Sequence, residues 1–121
     1  MDVLSRDDLE LLVRQPRSSC ASLYMPTHRS GPETQQDPIR LKNLIRRAEE
    51  SLVAAGIRRP DASEVLRPAR ELIEDEAFWR HQSDGLALFL RTGWFRYYRL
   101  PLRFEETVVV SDRFHVSPLL P

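Results

Sequence analysis

The sequence predicts an α+β domain spanning residues 1–121, in which a sheet of about four mostly antiparallel strands is covered by three to four helices. Three observations carry this prediction. Residues 37–56 repeat apolar side chains at helical spacing, the uninterrupted apolar run at 86–90 has the length of a strand, and a β-branched run follows at 108–110. With 41% hydrophobic and 30% charged residues, the chain of 121 residues suits a single core.

Helix-start signals locate the first two helices. Ser5 with Asp8 forms a capping pair that opens a short first helix. Asp37 is predicted to be the N-cap of a second helix and Pro38 its first residue, and the apolar stripe of that helix continues to Gly56, which is expected to follow its end.

A third helical stretch and the strands follow. Asp61 with Glu64 is predicted to cap this stretch, and Pro68 is expected to kink or divide it. The run at 86–90 then indicates a strand that is central in the sheet or covered on both faces, and Thr92-Gly93 indicates a turn into a hairpin partner. The predicted strands are residues 20–26, 86–90, 94–100 and 108–110.

Charge and cysteine content exclude several classes of function. The 18 basic and 18 acidic residues give no net charge, so no global field draws the chain to nucleic acid or to a membrane. Cys20 is the only cysteine, which excludes an internal disulfide and a cysteine-based zinc cluster. Because no signal-peptide core and no long apolar span occur, we expect a cytoplasmic protein with no membrane partner. We also expect no DNA partner, and no cofactor, since the sequence contains no glycine-rich phosphate-binding loop.

The histidines provide the enzymatic alternative. His28, His81 and His115 all lie beside predicted strand ends, where they could serve a small hydrolase or a metal-dependent nuclease. No two of them have the i, i+4 spacing of a helical metal motif. Ser83 and Asp84 complete the letters of a hydrolytic triad with His81, but triad members converge from separate parts of a chain. We therefore expect a domain that is not an enzyme.

Charge is segregated along the middle of the chain. Residues 39–59 carry six basic residues against two acidic ones, and residues 61–76 reverse this balance. One interpretation is that two neighbouring helices complement each other. The other is that the basic start of the second helix faces phosphates, which the helix dipole also favours. On this second interpretation the candidate nucleic-acid-binding residues are His28, Arg29, Arg40, Lys42, Arg46 and Arg47.

Two further surfaces are candidates for binding. Residues 94–100 interleave aromatic and arginine side chains, as in strands that stack the bases of single-stranded nucleic acid. The alternative is that these aromatics form one packed face of the sheet. Trp94 together with the final Leu-Leu-Pro could also form an interdomain surface, which would make the domain a protein-interaction module.

Four stretches resemble a known family: YMPTH at 24–28, QQDPIRLKNL at 35–44, FWRHQSDGLALFL at 78–90, and DRFH at 112–115 with PLLP at 118–121. They resemble the amino-terminal domain of archaeal and eukaryotic peptide-chain release factors, and more closely that of their bacterial relatives. The likeness covers nearly the whole chain. It implies an amino-terminal domain that works at the ribosome together with carboxy-terminal domains of the same chain. Because the final Leu-Leu-Pro is apolar, we also expect the domain to be excised from a longer protein.

The chain departs from the classical factors at their decoding motifs. The segment from His28 to Asp37 stands where those factors have a helix and an Asn-Ile-Lys-Ser loop, and their Tyr-x-Cys-x-x-x-Phe stretch would retain only Phe114 here. The Gly-Gly-Gln that triggers peptide release is absent. The resemblance therefore implies a non-catalytic module without stop-codon decoding, which contacts ribosomal RNA or a ribosome-bound partner through residues 28–47 in ribosome rescue, hibernation or translation quality control.

Overall fold

The computed structural model, which describes residues 4–120, contains one four-stranded sheet and four α-helices. The strands are β1 (Cys20–Pro26), β2 (Gly85–Arg91), β3 (Trp94–Leu100) and β4 (Thr107–Ser111), and the helices are α1 (Arg6–Val13), α2 (Asp37–Ala54), α3 (Arg59–Leu72) and α4 (Glu76–Arg80). The strand order is β3-β2-β1-β4, and each neighbouring pair is antiparallel. The predicted α+β class is confirmed.

Both faces of the sheet are buried. Alternate side chains of β1 and β2, such as Leu23 and Leu88, pack on one face against the apolar stripes of α2 and α3. On the other face, Tyr24 and Phe89 pack against Leu12 of α1 and against aromatic side chains that follow β3 and β4. This double covering explains why β2 contains an uninterrupted apolar run and why β1 is mostly apolar.

Local helix signals were accurate for α1 and nearly so for α2. The Ser5 hydroxyl accepts the backbone N–H of Asp8 at 3.1 Å, and the Asp8 carboxylate accepts the backbone N–H of Ser5 at 2.9 Å, which is the predicted capping box. In α2 the N-cap is Gln36 and not Asp37, so that prediction was wrong by one residue. Gly56 follows the end of α2 with a φ of 99°, as expected.

The third helix begins before the predicted cap and is not divided at Pro68. It starts at Arg59 with Arg58 as its N-cap, so Asp61 lies inside the first turn and the capping pair with Glu64 was wrong. The helix also continues through Pro68 to Leu72, and the chain divides only after that residue. Burial of the apolar face of α3 outweighs the cost of an internal proline.

Candidate nucleic-acid interface

A buried carboxylate joins the start of α2 to the end of β1. Asp37 is only 1% exposed. Its Oδ2 accepts the backbone N–H of His28 at 2.9 Å, and its Oδ1 lies 2.9 Å from both His28 Nδ1 and Arg40 Nη1. A carboxylate tolerates such burial only when it is paired and hydrogen-bonded. The side chains of His28 and Arg40, two of the predicted binding residues, are therefore engaged inside the protein.

Arg40 is also held from the other side. Its Nη2 donates to Glu33 Oε2 at 3.0 Å, so the guanidinium bridges Glu33 and Asp37. Burial disfavours the charged form of Arg40, but the two carboxylates outweigh burial and raise the pKa of its guanidinium. The positive charge of Arg40 is thus neutralised by neighbouring residues of its own chain.

The polar segment between β1 and α2 is folded against the domain. A 3₁₀ helix at Pro32–Gln35 leads into α2, and the Thr34 hydroxyl donates to the carbonyl of Gly31 at 2.7 Å. Where β1 ends, the Thr27 hydroxyl donates to the carbonyl of Ser83 at 2.7 Å. The polar residues that interrupt the apolar pattern therefore supply the hydrogen bonds of a defined turn.

The exposed side of α2 carries the other basic residues. Lys42, Arg46 and Arg47 are exposed, opposite the buried stripe of the helix. None of them forms an ion pair with a residue between 4 and 120, and Arg46 donates only to Asn43 Oδ1 at 3.1 Å. We call these three side chains the α2 basic face.

The six predicted residues therefore do not form one patch. Arg29 pairs with Asp84 at 3.4 Å beyond the end of β1. Arg40 and Lys42 are two residues apart, which places them about 160° apart around the helix axis, on nearly opposite sides of α2. Of the six predicted residues, only Lys42, Arg46 and Arg47 are both exposed and without a carboxylate partner among the described residues.

At the contact between α2 and α3, the acids come from α2 and the basic residues from α3, which is the reverse of the predicted arrangement. Arg59 Nη1 lies 2.8 Å from Glu49 and 3.0 Å from Glu50, and Arg70 Nη2 lies 3.2 Å from Glu49. These pairs join acids of α2 to arginines of α3, whereas the sequence favoured basic residues of α2 facing acids of α3. The helices do complement each other, but the basic residues of α2 take no part in it.

The three histidines are separated in the structure. His28 binds Asp37, His81 is exposed beyond the end of α4, and the backbone of His115 is bound by Ser22 and Tyr24. Within the part of the chain that the structure describes, no three histidine, cysteine or acidic side chains are grouped as metal ligands. The suggested metal site of His28, His81 and His115 was therefore wrong.

The aromatic residues of β3 are used mainly in packing. Tyr98 is fully buried, and Phe95 and Tyr97 pack against the helix-covered core. The Trp94 ring lies 5.4 Å from that of Phe114, measured between ring centroids. This arrangement matches the packing interpretation of the segment and leaves few aromatic faces for bases.

Of the residues suggested for an interdomain surface, the described ones are partly buried in the domain itself. Trp94 and Leu119 pack against the second core cluster, whereas Leu120 is 50% exposed. Pro121, which completes the Leu-Leu-Pro stretch, lies outside the described residues. No helix in the described range 4–120 combines the length and the apolar character that crossing a bilayer requires.

Sequence reasoning missed the role of two polar residues in the apolar strand β1. The Ser22 hydroxyl accepts the backbone N–H of His115 at 2.9 Å, and the Tyr24 hydroxyl donates to the carbonyl of the same residue. These bonds hold the segment after β4 against the sheet. A serine and a tyrosine that share one face of an apolar strand were the available signal.

Comparison with protein-family models found no match, and comparison with curated proteins found none either.

Proposed function

We propose that this chain is the amino-terminal, non-catalytic module of a release-factor-like protein and that it contacts ribosomal RNA through the α2 basic face. The resemblance of four sequence stretches supports the family, and the charge arrangement supports the contact. In this proposal the module positions its protein on the ribosome without decoding a stop codon. The carboxy-terminal domains of the longer protein would act from that position in rescue, hibernation or quality control.

One observation carries the proposed contact. Lys42, Arg46 and Arg47 project from one helix, and no carboxylate of residues 4–120 lies within ion-pairing distance of them. The neighbouring Arg59 and Arg70, in contrast, are neutralised by acids of α2. Basic side chains that are left unpaired in this way can neutralise phosphates and release the counterions of RNA.

The same arrangement favours phosphate contact over base recognition. Base recognition requires side chains that reach base edges or stack on bases, whereas the α2 basic face consists of long cationic side chains on a solvent-exposed helix. The segment from His28 to Asp37 is folded back by its own hydrogen bonds. We therefore propose a contact that depends strongly on salt and weakly on sequence.

The test is co-sedimentation of the full-length protein with ribosomes at several salt concentrations. The test variant carries K42E, R46E and R47E, whereas Arg40 is left unchanged because it binds the buried Asp37. We expect the variant to lose binding and the dependence of log K on log salt to become shallower, by up to about 0.7–0.9 for each phosphate that the variant no longer neutralises.

A charge-matched control separates a local contact from a change in net charge. The control variant carries R58E, R103E and R113E, three exposed arginines outside the α2 basic face. We expect it to retain most of the binding. Equal reductions in both variants would contradict a specific role of the α2 basic face, and unchanged binding in the test variant would overturn the proposal.

A further inference from the structure

Three arginines from separate parts of the chain line one open cleft. Arg29 follows β1, Arg80 ends α4, and Arg99 lies on the edge strand β3. The cleft has a volume of about 400 Å³, and no carboxylate of the described residues lines it. We call it the basic cleft, and its lining is completed by His81, Gln82 and Ser83.

The sheet register explains why these arginines meet. Pro26 of β1 pairs with Gly85 of β2, and Gly85 pairs with Leu100 of β3. The end of β1, the start of β2 and the end of β3 are therefore level at one end of the sheet. Residues at these strand ends, or just beyond them, share that end of the sheet although they are far apart in the sequence.

The charge of the basic cleft is only partly balanced. Arg29 lies 3.4 Å from Asp84, but both side chains are largely exposed, at 64% and 44%, so this pair contributes little stability. Arg80 is exposed and has no ion pair with a residue of the described range. Arg29 and Arg80 therefore bring two positive charges to one cleft, and such an arrangement favours an anion between them.

Arg99 is held in a fixed position beside this cleft. Its Nη2 donates to the carbonyl of Phe78 at 3.2 Å. Its guanidinium carbon lies 4.9 Å from the centroid of the Phe78 ring and 5.4 Å from that of Tyr97. An arginine that is fixed by a carbonyl and by aromatic rings loses less entropy when it binds a ligand.

A second cleft adjoins the first and shares Arg29 and Arg80 with it. It has a volume of about 670 Å³, and its apolar lining comes from Pro38, Ile73 and Trp79. The carboxylates of Glu74 and Glu76 also line it, so the phosphate is assigned to the basic cleft, which no carboxylate of the described residues lines. The indole N–H of Trp79 donates to the carbonyl of Leu72 at 2.7 Å, which fixes the ring. We call this the tryptophan cleft.

We propose that the two clefts together bind one nucleotide of single-stranded RNA, with its phosphate in the basic cleft and its base in the tryptophan cleft. Guanidinium groups match phosphate oxygens in geometry as well as in charge. A tryptophan beside them offers an apolar surface to a base. This inference rests on the proposed function for the choice of RNA, whereas binding of a nucleotide rests on the clefts alone.

The experiment uses nuclear magnetic resonance of the full 121-residue chain. The probes are adenosine 5′-monophosphate, adenosine, inorganic phosphate and a short oligoadenylate RNA. We expect the nucleotide to shift the indole N–H signal of Trp79 and the side-chain signal of Arg80. Adenosine and phosphate alone should bind about tenfold more weakly or worse, because each would fill only one cleft. Absence of shifts with the nucleotide would overturn the proposal.

Matched variants test the role of the arginines. R80E should weaken nucleotide binding by about tenfold or more, because it removes a charge-assisted hydrogen bond and adds a repulsive carboxylate. R58E is the control. Arg58 is also exposed, but it is the N-cap of α3 and does not line either cleft. Equal effects of the two variants would contradict a site at Arg80.

The outcomes also separate this inference from the proposed function. K42E, R46E and R47E should abolish ribosome binding and leave nucleotide binding unchanged. If the wild-type chain binds the nucleotide but the full-length protein does not bind ribosomes, the nucleotide site stands and the proposed ribosome contact is overturned. If ribosomes bind but the nucleotide does not, only the nucleotide site is overturned. RNA that binds more tightly than the free nucleotide supports the RNA assignment, whereas weaker binding of RNA overturns it.

Discussion

Asp37 binds His28 twice, once through the backbone and once through the ring. Oδ2 accepts the backbone N–H of His28 at 2.9 Å, and Oδ1 lies 2.9 Å from His28 Nδ1. Asp37 is the first residue of α2, and His28 lies just beyond β1. One carboxylate therefore fixes both ends of the polar segment that joins strand to helix.

Replacing this carboxylate should strongly destabilise the domain. D37A leaves the backbone N–H of His28 and the guanidinium of Arg40 without their shared acceptor at a site that is 1% exposed. Removing one partner of a buried ionic pair typically costs about 3–5 kcal/mol. We expect a destabilisation near the lower end of that range, because Arg40 retains Glu33. Urea unfolding monitored by circular dichroism measures the change.

E33A is the control for this prediction. It removes the other carboxylate partner of Arg40, but the side chain of Glu33 is 57% exposed. An exposed ion pair contributes about 0–1 kcal/mol. Similar destabilisation by D37A and E33A would contradict the view that Asp37 is the acid that organises this segment.

Much of the fold could be predicted from short local patterns in the sequence. The capping box of Ser5 and Asp8 depends on residues three positions apart, and the strand at 86–90 depends on one apolar run. Such signals are complete within the sequence itself. The start of α3 was misplaced because Arg58, the actual N-cap, makes no side-chain capping bond and so leaves no cap signal.

The basic cleft was not predicted from the sequence, because its residues come together only through the register of the sheet. The basic cleft combines Arg29, Arg80 and Arg99, which meet only because three strands are aligned. The sequence grouped Arg40 with Lys42 instead, because they are near each other in the chain. Helical geometry and the burial of Asp37 separate those two residues in space.

Two buried tyrosines should respond differently to removal of the hydroxyl. The Tyr24 hydroxyl donates to the carbonyl of His115, whereas the Tyr98 hydroxyl is buried without a hydrogen-bond partner among the described residues. Y24F should destabilise the domain by about 1–2 kcal/mol, because it removes a buried hydrogen bond. Y98F should be neutral or stabilising, because it removes an unsatisfied buried group. Urea unfolding of both variants tests this contrast, and the opposite order would contradict it.

Alkaline pH should destabilise the protein through the same tyrosines. Burial raises the pKa of Tyr24 and of Tyr98 above the ordinary value of 10.0. Below about pH 10 both the folded and the unfolded states keep these protons. Above it the unfolded state loses them first, so the free energy of unfolding falls as pH rises toward the folded pKa values.

Unfolding in urea between about pH 8 and pH 11.5 measures this dependence. Y24F should reduce the alkaline destabilisation, because phenylalanine has no proton to release, and the double variant with Y98F should reduce it further. The range below about pH 9 serves as the control, since neither tyrosine titrates there in either state. An identical alkaline slope in the wild type and the double variant would sink this explanation.

Gly85 should tolerate no side chain, because its α-carbon lies against the segment that contains Leu102 and Phe104, while β1 and β3 pair with β2 on either side. A Cβ there would lie 2.0 Å from the carbonyl oxygen of Leu102 and 2.7 Å from Cδ2 of Phe104. Pairing of β2 with strands on both sides prevents a shift, so G85A should cost about 3 kcal/mol or more in urea unfolding. G93A is the control: Gly93 has open space but a φ of 71°, which costs an alanine about 1–2 kcal/mol. A cost for G85A that does not exceed that of G93A would show that the segment around Phe104 can move away from the sheet.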